Sequence, residues 1–307
     1  MKTDFDLIII GAGPGGITAG IYAARSGLKT AIIEREVPGG KVNKTAEIEN
    51  YPGFTSIMGP DLAVSLFSQA QAVGAEFVFD EVLKIHKNPQ NIFELNLTNQ
   101  VLKSKSVIIA TGTKERKLGV PGEERLYGKG VSYCAVCDGA FFKEKPLIVV
   151  GGGLAAVEES LYLTKFASKV TLVHRREEFR AAESVVDKTR RHEKVEFMLN
   201  CVVEEIIGDK VVEAVIVKDL KNNTTKKIEV AGIFPLIGSD PITDFVKDLK
   251  ILNETNSIIT DIEMKTSIPG LFAVGDVRNT PLKQIATAVG DGAIAAQKAI
   301  EYCDNFE

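Results

Sequence analysis

Cys134 and Cys137, in the stretch "SYCAVCDGAF", are separated by two residues and followed directly by an acid, Asp138. Thiols at this spacing can clip a metal, form a structural staple or exchange electrons as a reversible disulfide. A zinc clip needs about four ligands. The remaining cysteines, Cys201 and Cys303, stand alone, and His86, His174 and His192 are scattered, so no metal site is expected. Four cysteines in 307 residues do not make a disulfide scaffold either. The opening "MKTDFDLIIIGAG" has too short an apolar run before its glycines for an export signal, and a reducing cytoplasm is the expected compartment. In that setting the pair reads as redox thiols. Such thiols need a proton donor when their bond opens, and Asp138 is the candidate acid–base. The competing role for Asp138 is a helix N-cap beside glycine.

Thiols that carry electrons need a source of them, and two glycine patterns supply candidates. The first, Gly11-x-Gly13-x-x-Gly16, follows the apolar run "FDLIII" and opens a helical pattern. The first glycine makes the tight turn, the second lets backbone approach a pyrophosphate, and the third allows close helix–strand packing. A second apolar run, "KTAIIE", ends in Glu34, 23 positions past Gly11, where an acid would bind ribose hydroxyls. The same design returns as Gly151-x-Gly153-x-x-Ala156 after "KPLIVV". Here the residue 23 positions on is His174, followed by Arg175 and Arg176, with Arg180 one turn further. Guanidinium groups can clasp a 2′-phosphate that an acid would repel. The first site therefore reads as binding an adenosine with a free ribose and the second as binding NADPH.

Further segments assign the first site to FAD. "SVIIATGT" (106–113) reads as a strand that returns to the nucleotide and ends in small residues, among them Ala110, Thr111 and Gly112. "IPGLFAVGDV" (268–277) reads as another buried strand ending at Gly275 and Asp276, an acid placed to accept from a ribityl hydroxyl. The pattern after it, "KQIATAVGDGAIAAQKAIEY", starts a helix whose N-terminus would face the flavin's pyrimidine end. The order implies an α/β chain of two Rossmann-like three-layer domains, the NADPH domain inserted into the FAD domain. The boundaries expected are 1–113 with 244–307 for FAD, and 114–243 for NADPH and the cysteines. Antiparallel pieces are expected at "EVLKIHK…IFELNLTN" and across an Asn222-Asn223 turn. A net charge of −4 gives no reason to expect nucleic acid, and no apolar run approaches the roughly 20 residues that span a bilayer.

Taken together, the chain resembles the low-molecular-weight, bacterial-type NADPH-dependent thioredoxin reductases, within the pyridine nucleotide-disulfide oxidoreductases. The resemblance spans nearly the whole length and keeps the motif order: "GAGPGG", "GG" at 39–40, "ENYPG" at 49–53, "ATG", "CAVCDG", "GGGLAAVEE", "HRREEFRA", "GLFAVGD" and "GDGAIAA". "CAVCDG" is the most specific, because related disulfide reductases carry their cysteines near the first strand. The resemblance adds Gly39, Gly40, Lys41, Asn50, Lys283, Gln284 and Ile285 to the flavin site. Three positions depart from the family. Leu154 replaces a polar residue near the NADPH pyrophosphate, Lys41 replaces glutamine, and Lys283 replaces arginine, which loses the planar fork.

What the resemblance implies is a thioredoxin reductase in which electrons pass from NADPH through FAD to a Cys134–Cys137 disulfide and on to thioredoxin. Cys137 would face the flavin and Cys134 would attack the partner. Nicotinamide and disulfide would need to take turns at one flavin, which calls for a hinge at the two crossings between domains. A homodimer through the FAD domains is expected from the family. Rivals on the same scaffold are a flavin-dependent NAD(P)H disulfide reductase with another protein partner, and a non-catalytic flavin redox sensor. A ferredoxin–NADP reductase of this type would lack the C-x-x-C, a peroxiredoxin-system reductase would carry an extra N-terminal domain, and a ferredoxin-fed variant would have lost the basic cluster after Val173.

Overall fold

A computed structural model describes residues 3–45 and 47–306. The chain divides into two compact units, one made of Met1–Lys114 and Asp240–Glu307, the other of Glu115–Ser239.

The first unit begins with β1 (Phe5–Ile10), whose Leu7, Ile8 and Ile9 have no exposure. A strand buried on both faces reads as a continuous aliphatic run, and this one sits in the middle of a parallel sheet. The chain then forms α1 (Pro14–Arg25) and β2 (Thr30–Glu34). Proline at the first helical position fits α1's start, since its missing N–H has no helical partner anyway. After α2 (Gly59–Ala72) come β3 (Glu76–Phe79), β4 (Val82–Lys87), β5 (Phe93–Leu97) and β6 (Val101–Ile109). The strand order is β3-β2-β1-β6-β5-β4. The first four strands run parallel, and β6-β5-β4 form an antiparallel extension.

The strand expected at 106–113 is thus longer at its start and ends at Ile109. Its early half, "VLKSKS", alternates because it pairs with β5, while its apolar second half pairs with Leu271–Ala273. That short strand leads through Gly275–Val277 to a 20-residue helix, Ile285–Asp304. This C-terminal helix lies tight on α1, where a Cβ on Gly292 would fall 2.3 Å from Gly15 O.

The second unit repeats the parallel design on a smaller scale. A single helical turn, α3 (Ala135–Asp138), precedes β7 (Pro146–Val150), α4 (Leu154–Leu163), β8 (Lys169–His174), α5 (Glu183–Arg190) and β9 (Val195–Leu199). An antiparallel sheet follows, β10 (Cys201–Ile207), β11 (Ala214–Asp219) and β12 (Thr224–Glu229), with Asn223 in the left-handed region at φ 54° in its second turn. The chain then returns through β13 (Gly232–Pro235), and the parallel order is β9-β8-β7-β13. Among the described residues no helix is long and apolar enough to cross a membrane.

Candidate active site

The first glycine turn joins β1 to α1 and is closed by Ala110, the residue just past β6. A Cβ on Gly11 would meet Ala110 O at 2.5 Å, and one on Gly16 would meet Gly11 O at 1.9 Å. A Cβ on Gly13 would meet nothing within 4 Å. The turn is therefore packed at its first and third glycines and open at the second, the arrangement a pyrophosphate needs for close approach to backbone. Glu34, at the end of β2, braces this turn. Ala12 N–H donates to its Oε2 and Glu36 N–H to its Oε1, both at 2.8 Å. Each carboxylate oxygen keeps a further lone pair for a ribose hydroxyl.

Two other expected flavin-site residues, Gly39 and Gly40, meet the same turn, and the rest contact one another or neighbouring elements of this unit. Gly39 N–H donates to Ala12 O at 2.7 Å, and a Cβ on Gly40 would reach Gly13 Cα at 3.5 Å. Lys41 follows them, its Nζ donating to Thr113 Oγ1 at 2.7 Å and lying 3.6 Å from Asp276 Oδ2. Thr111 Oγ1 donates to Ile242 O at 2.7 Å, and Ile242 N–H donates to Gly112 O at 3.1 Å. Asn50 Nδ2 donates to Gln284 Oε1 at 3.1 Å. Gln284 caps the C-terminal helix through a capping box with Thr287, Ile285 packs against the core, and Lys283 is exposed just before them.

Sequence reasoning missed what holds the Gly275-Asp276 turn in place. Gly275 N–H donates to Asp291 Oδ2 at 3.0 Å, and Arg278 reaches the same carboxylate through Nε at 2.8 Å. Asp291 is buried on the C-terminal helix. The signal that points to it is an acid amid the small and apolar residues of "ATAVGDGAIAA".

In the second unit, the second glycine turn joins β7 to α4. A Cβ on Gly151 would crowd Leu236 O at 2.4 Å and the Ala156 Cβ at 2.7 Å, while the position of Gly153 is open apart from an Arg180 terminal nitrogen at 3.7 Å. The Arg180 backbone N–H donates to Gly152 O at 2.8 Å, which fixes this residue's backbone beside the turn. Arg175 and Arg176 are exposed just past β8. Leu154 opens α4 with its side chain about half exposed.

His174 plays a part different from its arginine neighbours. Its ring is buried, stacks on Phe179 at 5.0 Å and lies where any Cβ on Gly152 would fall, 2.1 Å away. Nε2 is 3.1 Å from Glu178 O. Burial first, and then the charges of Arg175, Arg176 and Arg180, push its pKa below the ordinary value. His174 thus gives the turn its shape, and the positive charge comes from the arginines.

Cys134 and Cys137 are joined by a disulfide, with Cα atoms 5.3 Å apart. Cys134 is the N-cap of α3, and its Sγ accepts the Cys137 N–H at 3.2 Å. The Cys134 N–H goes to Ser132 Oγ at 3.1 Å. The next amide, that of Ala135, donates to Glu159 Oε2 on α4 at 3.0 Å. Tyr133, just before Cys134, donates its hydroxyl to Glu123 Oε1 at 2.8 Å. Ser132, Glu123 and Glu159 lie up to 25 positions from the cysteines, and no spacing rule pointed to them.

Asp138 precedes the short turn Gly139–Phe142 in the N-cap position, but its side chain makes no capping bond there. Instead Oδ1 is buried with no hydrogen-bond partner. Burial raises its pKa above the ordinary carboxylate value, against an opposing hydrogen bond from Ser132. A carboxyl held this way gives up its proton less readily than an exposed one. The other two thiols are inert by comparison. Both are buried, which raises the pKa of Cys201 and pushes that of Cys303 up to about 12. Among the described residues, no three His, Cys, Asp or Glu side chains are grouped to hold a metal ion.

The family described as pyridine nucleotide-disulphide oxidoreductase matches residues 5–292. The thioredoxin reductase of Listeria innocua is 48% identical over 304 residues, 99% of this chain and 95% of that protein. The thioredoxin reductase of Bacillus subtilis is 44% identical over 304 residues, 99% of this chain and 96% of that protein. Among solved structures, the thioredoxin reductase from Streptococcus pyogenes matches with a TM-score of 0.94 at 48% identity, covering 98% of this chain and 99% of that one. Likeness of this extent, in sequence and in fold, places the disulfide and the two glycine turns in a known setting: the chain belongs to the thioredoxin reductases of the pyridine nucleotide-disulphide oxidoreductase family.

Proposed function

We propose that this chain is an NADPH-dependent thioredoxin reductase that binds FAD in the unit containing Gly11 and NADPH in the unit containing Gly151. The observation that carries the reading is the Cys134–Cys137 disulfide beside the buried, unpaired carboxyl oxygen of Asp138. Bound flavin would supply the two-electron chemistry that links a hydride donor to a disulfide.

The residues around each turn divide the work. The open backbone at Gly13 and the start of α1 suit a pyrophosphate, with Glu34 for the adenosine ribose and Asp276 for a ribityl hydroxyl. Gly39, Gly40, Lys41, Ala110, Thr111, Gly112, Asn50, Gln284 and Ile285 line the remaining approach. In the second unit the start of α4 at Gly153 suits the second pyrophosphate, and Arg175, Arg176 and Arg180 suit a 2′-phosphate. Leu154 leaves that contact to backbone N–H groups.

When the protein disulfide opens, Asp138 gives a proton to the sulfur left as a thiolate. In the dithiol form Cys134 Sγ attacks one sulfur of the thioredoxin disulfide, and Cys137 Sγ then displaces it. The Cys134–Cys137 bond re-forms, and thioredoxin leaves as a dithiol carrying both protons. The reading includes a cytoplasmic homodimer, which sedimentation and cell fractionation test directly.

The decisive experiment follows NADPH absorbance with thioredoxin and an insulin-type disulfide acceptor, with NADH in parallel. Sustained oxidation of NADPH that depends on thioredoxin is expected. A preference for NADH removes the role given to the arginines. With Cys134→Ser, NADPH still bleaches the flavin while thioredoxin reduction disappears; continued reduction of thioredoxin by that variant removes the role given to Cys134.

A further inference from the structure

The turn that carries the redox pair is only four residues long, Ala135–Asp138. A single helical turn does not hold itself together in isolation. One of its amides, that of Cys137, rests on Cys134 Sγ at 3.2 Å, a contact to an atom whose bonding changes whenever the disulfide opens. The Ala135 amide is different. It lies directly after Cys134 and donates out of the turn, to Glu159 Oε2 on α4 at 3.0 Å. Helix α4 is itself fixed, with Ala156, Val157 and Leu163 fully buried against β7 and β8.

We infer that Glu159 is a positioning residue for the redox pair: its bond to the Ala135 amide holds Cys134 and Cys137 in register while the sulfurs are apart. The inference rests on reading these cysteines as a redox couple. Glu159 is half-buried on α4, where a carboxylate out of full contact with water is costly unless it is hydrogen-bonded. Burial raises the pKa of Glu159, the neighbouring charge of Glu158 adds to this, and the Ala135 amide opposes it. Glu123 offers a contrast. It receives the Leu118 and Gly119 amides at 2.9 and 2.8 Å as well as the Tyr133 hydroxyl, and so braces a loop. Glu159 acts on the amide next to the attacking sulfur.

Two thiols close a disulfide in proportion to how well they are held together. Loss of the tether therefore favours the open dithiol. The test equilibrates the holoenzyme in buffers of reduced and oxidised dithiothreitol, then traps free thiols by alkylation and counts them by mass. In this exchange the protein S–S bond breaks, the reagent's S–S bond forms, and the two reagent protons end on Cys134 and Cys137. Glu159→Leu should lower the equilibrium constant for disulfide formation about tenfold, a rise of about 30 mV in midpoint potential. Glu159→Gln keeps an oxygen acceptor for the amide and should stay within about twofold of the parent.

A purely structural role would lower the melting temperature of Glu159→Leu without moving this constant, and that result overturns the inference. Equal shifts in the Leu and Gln variants overturn it too, because the hydrogen bond would then not be the cause. Should Glu159→Leu fail to fold, Ala135→Pro removes the same donor at a first-turn position that proline suits. It should show the same loss, and an unchanged constant overturns the proposal. A parent protein whose disulfide cannot be opened and reclosed sinks the redox reading itself. A parent that cycles normally beside variants that match it sinks only the role of Glu159.

Discussion

The two glycine turns of this chain differ by one methyl group and by the sign of what surrounds them. At the third position of the first turn, Gly16 leaves no room for a Cβ, which would fall 1.9 Å from Gly11 O. The same position of the second turn holds the fully buried methyl of Ala156. Both turns are braced from the end of the neighbouring strand, by opposite means. Glu34 takes two backbone N–H groups on its carboxylate, whereas His174 lays an uncharged ring over Gly152. The residue after the second strand therefore shapes the turn in addition to whatever ligand it selects. The positive charge at the second site comes from Arg175, Arg176 and Arg180.

Gly16→Ala should have the largest effect of any change that bears on this comparison. Its Cβ collides with backbone that cannot move without parting β1 from α1, so a loss of about 4 kcal/mol or more is expected in denaturant unfolding, together with loss of bound flavin. A variant that keeps its flavin and its stability would show that the first turn is no tighter than the second.

Next comes the paired change Arg175→Ala with Arg176→Ala. Charge-assisted hydrogen bonds are worth about 1.5–3 kcal/mol, so KM for NADPH should rise about 10- to 100-fold while KM for NADH stays level. Parallel rises for both nucleotides would break the assignment of opposite charge to the two sites.

Ala156→Gly is the mirror of the first change and should be mild. Lost methyl burial and poorer helix propensity together cost about 1–2 kcal/mol, with flavin content unchanged. A loss as large as that from Gly16→Ala would erase the distinction.

The smallest effect concerns pH. The folded-state pKa of His174 is held below its ordinary value of 6.5, so below about that pH the unfolded chain binds more protons than the folded one. Stability from this site is whole above pH 6.5 and declines as the pH falls toward the depressed folded value. The melting temperature should fall more steeply on acidification in the parent than in His174→Phe. Equal slopes would mean that the ring is not held neutral.

Much of the candidate site is legible in the sequence because its chemistry depends on close spacing along the chain. The turn at Gly11, Gly13 and Gly16 is built from consecutive backbone, and Cys134 and Cys137 are separated by a single helical turn. The 23-residue step to Glu34 or His174 is also local, set by one helix and one strand. The start of β6 was misread for a physical reason: strand Val101–Ile109 changes partner along its length, so its alternating half and its apolar half look like different elements. The N-cap role considered for Asp138 failed because its side chain turns inward, leaving Oδ1 buried.

The sequence by itself determined the backbone turns, the pair of thiols and the reversal of charge after the second strand, because each is fixed by neighbours within one βαβ step. Only the tertiary structure decided which side chains serve those features from a distance. Asp291 reaches back across 16 positions to the Gly275 amide, and Glu159 reaches across 24 to that of Ala135. The physical reason is that a buried backbone N–H must find an acceptor, and any acid on a helix packed nearby can supply it.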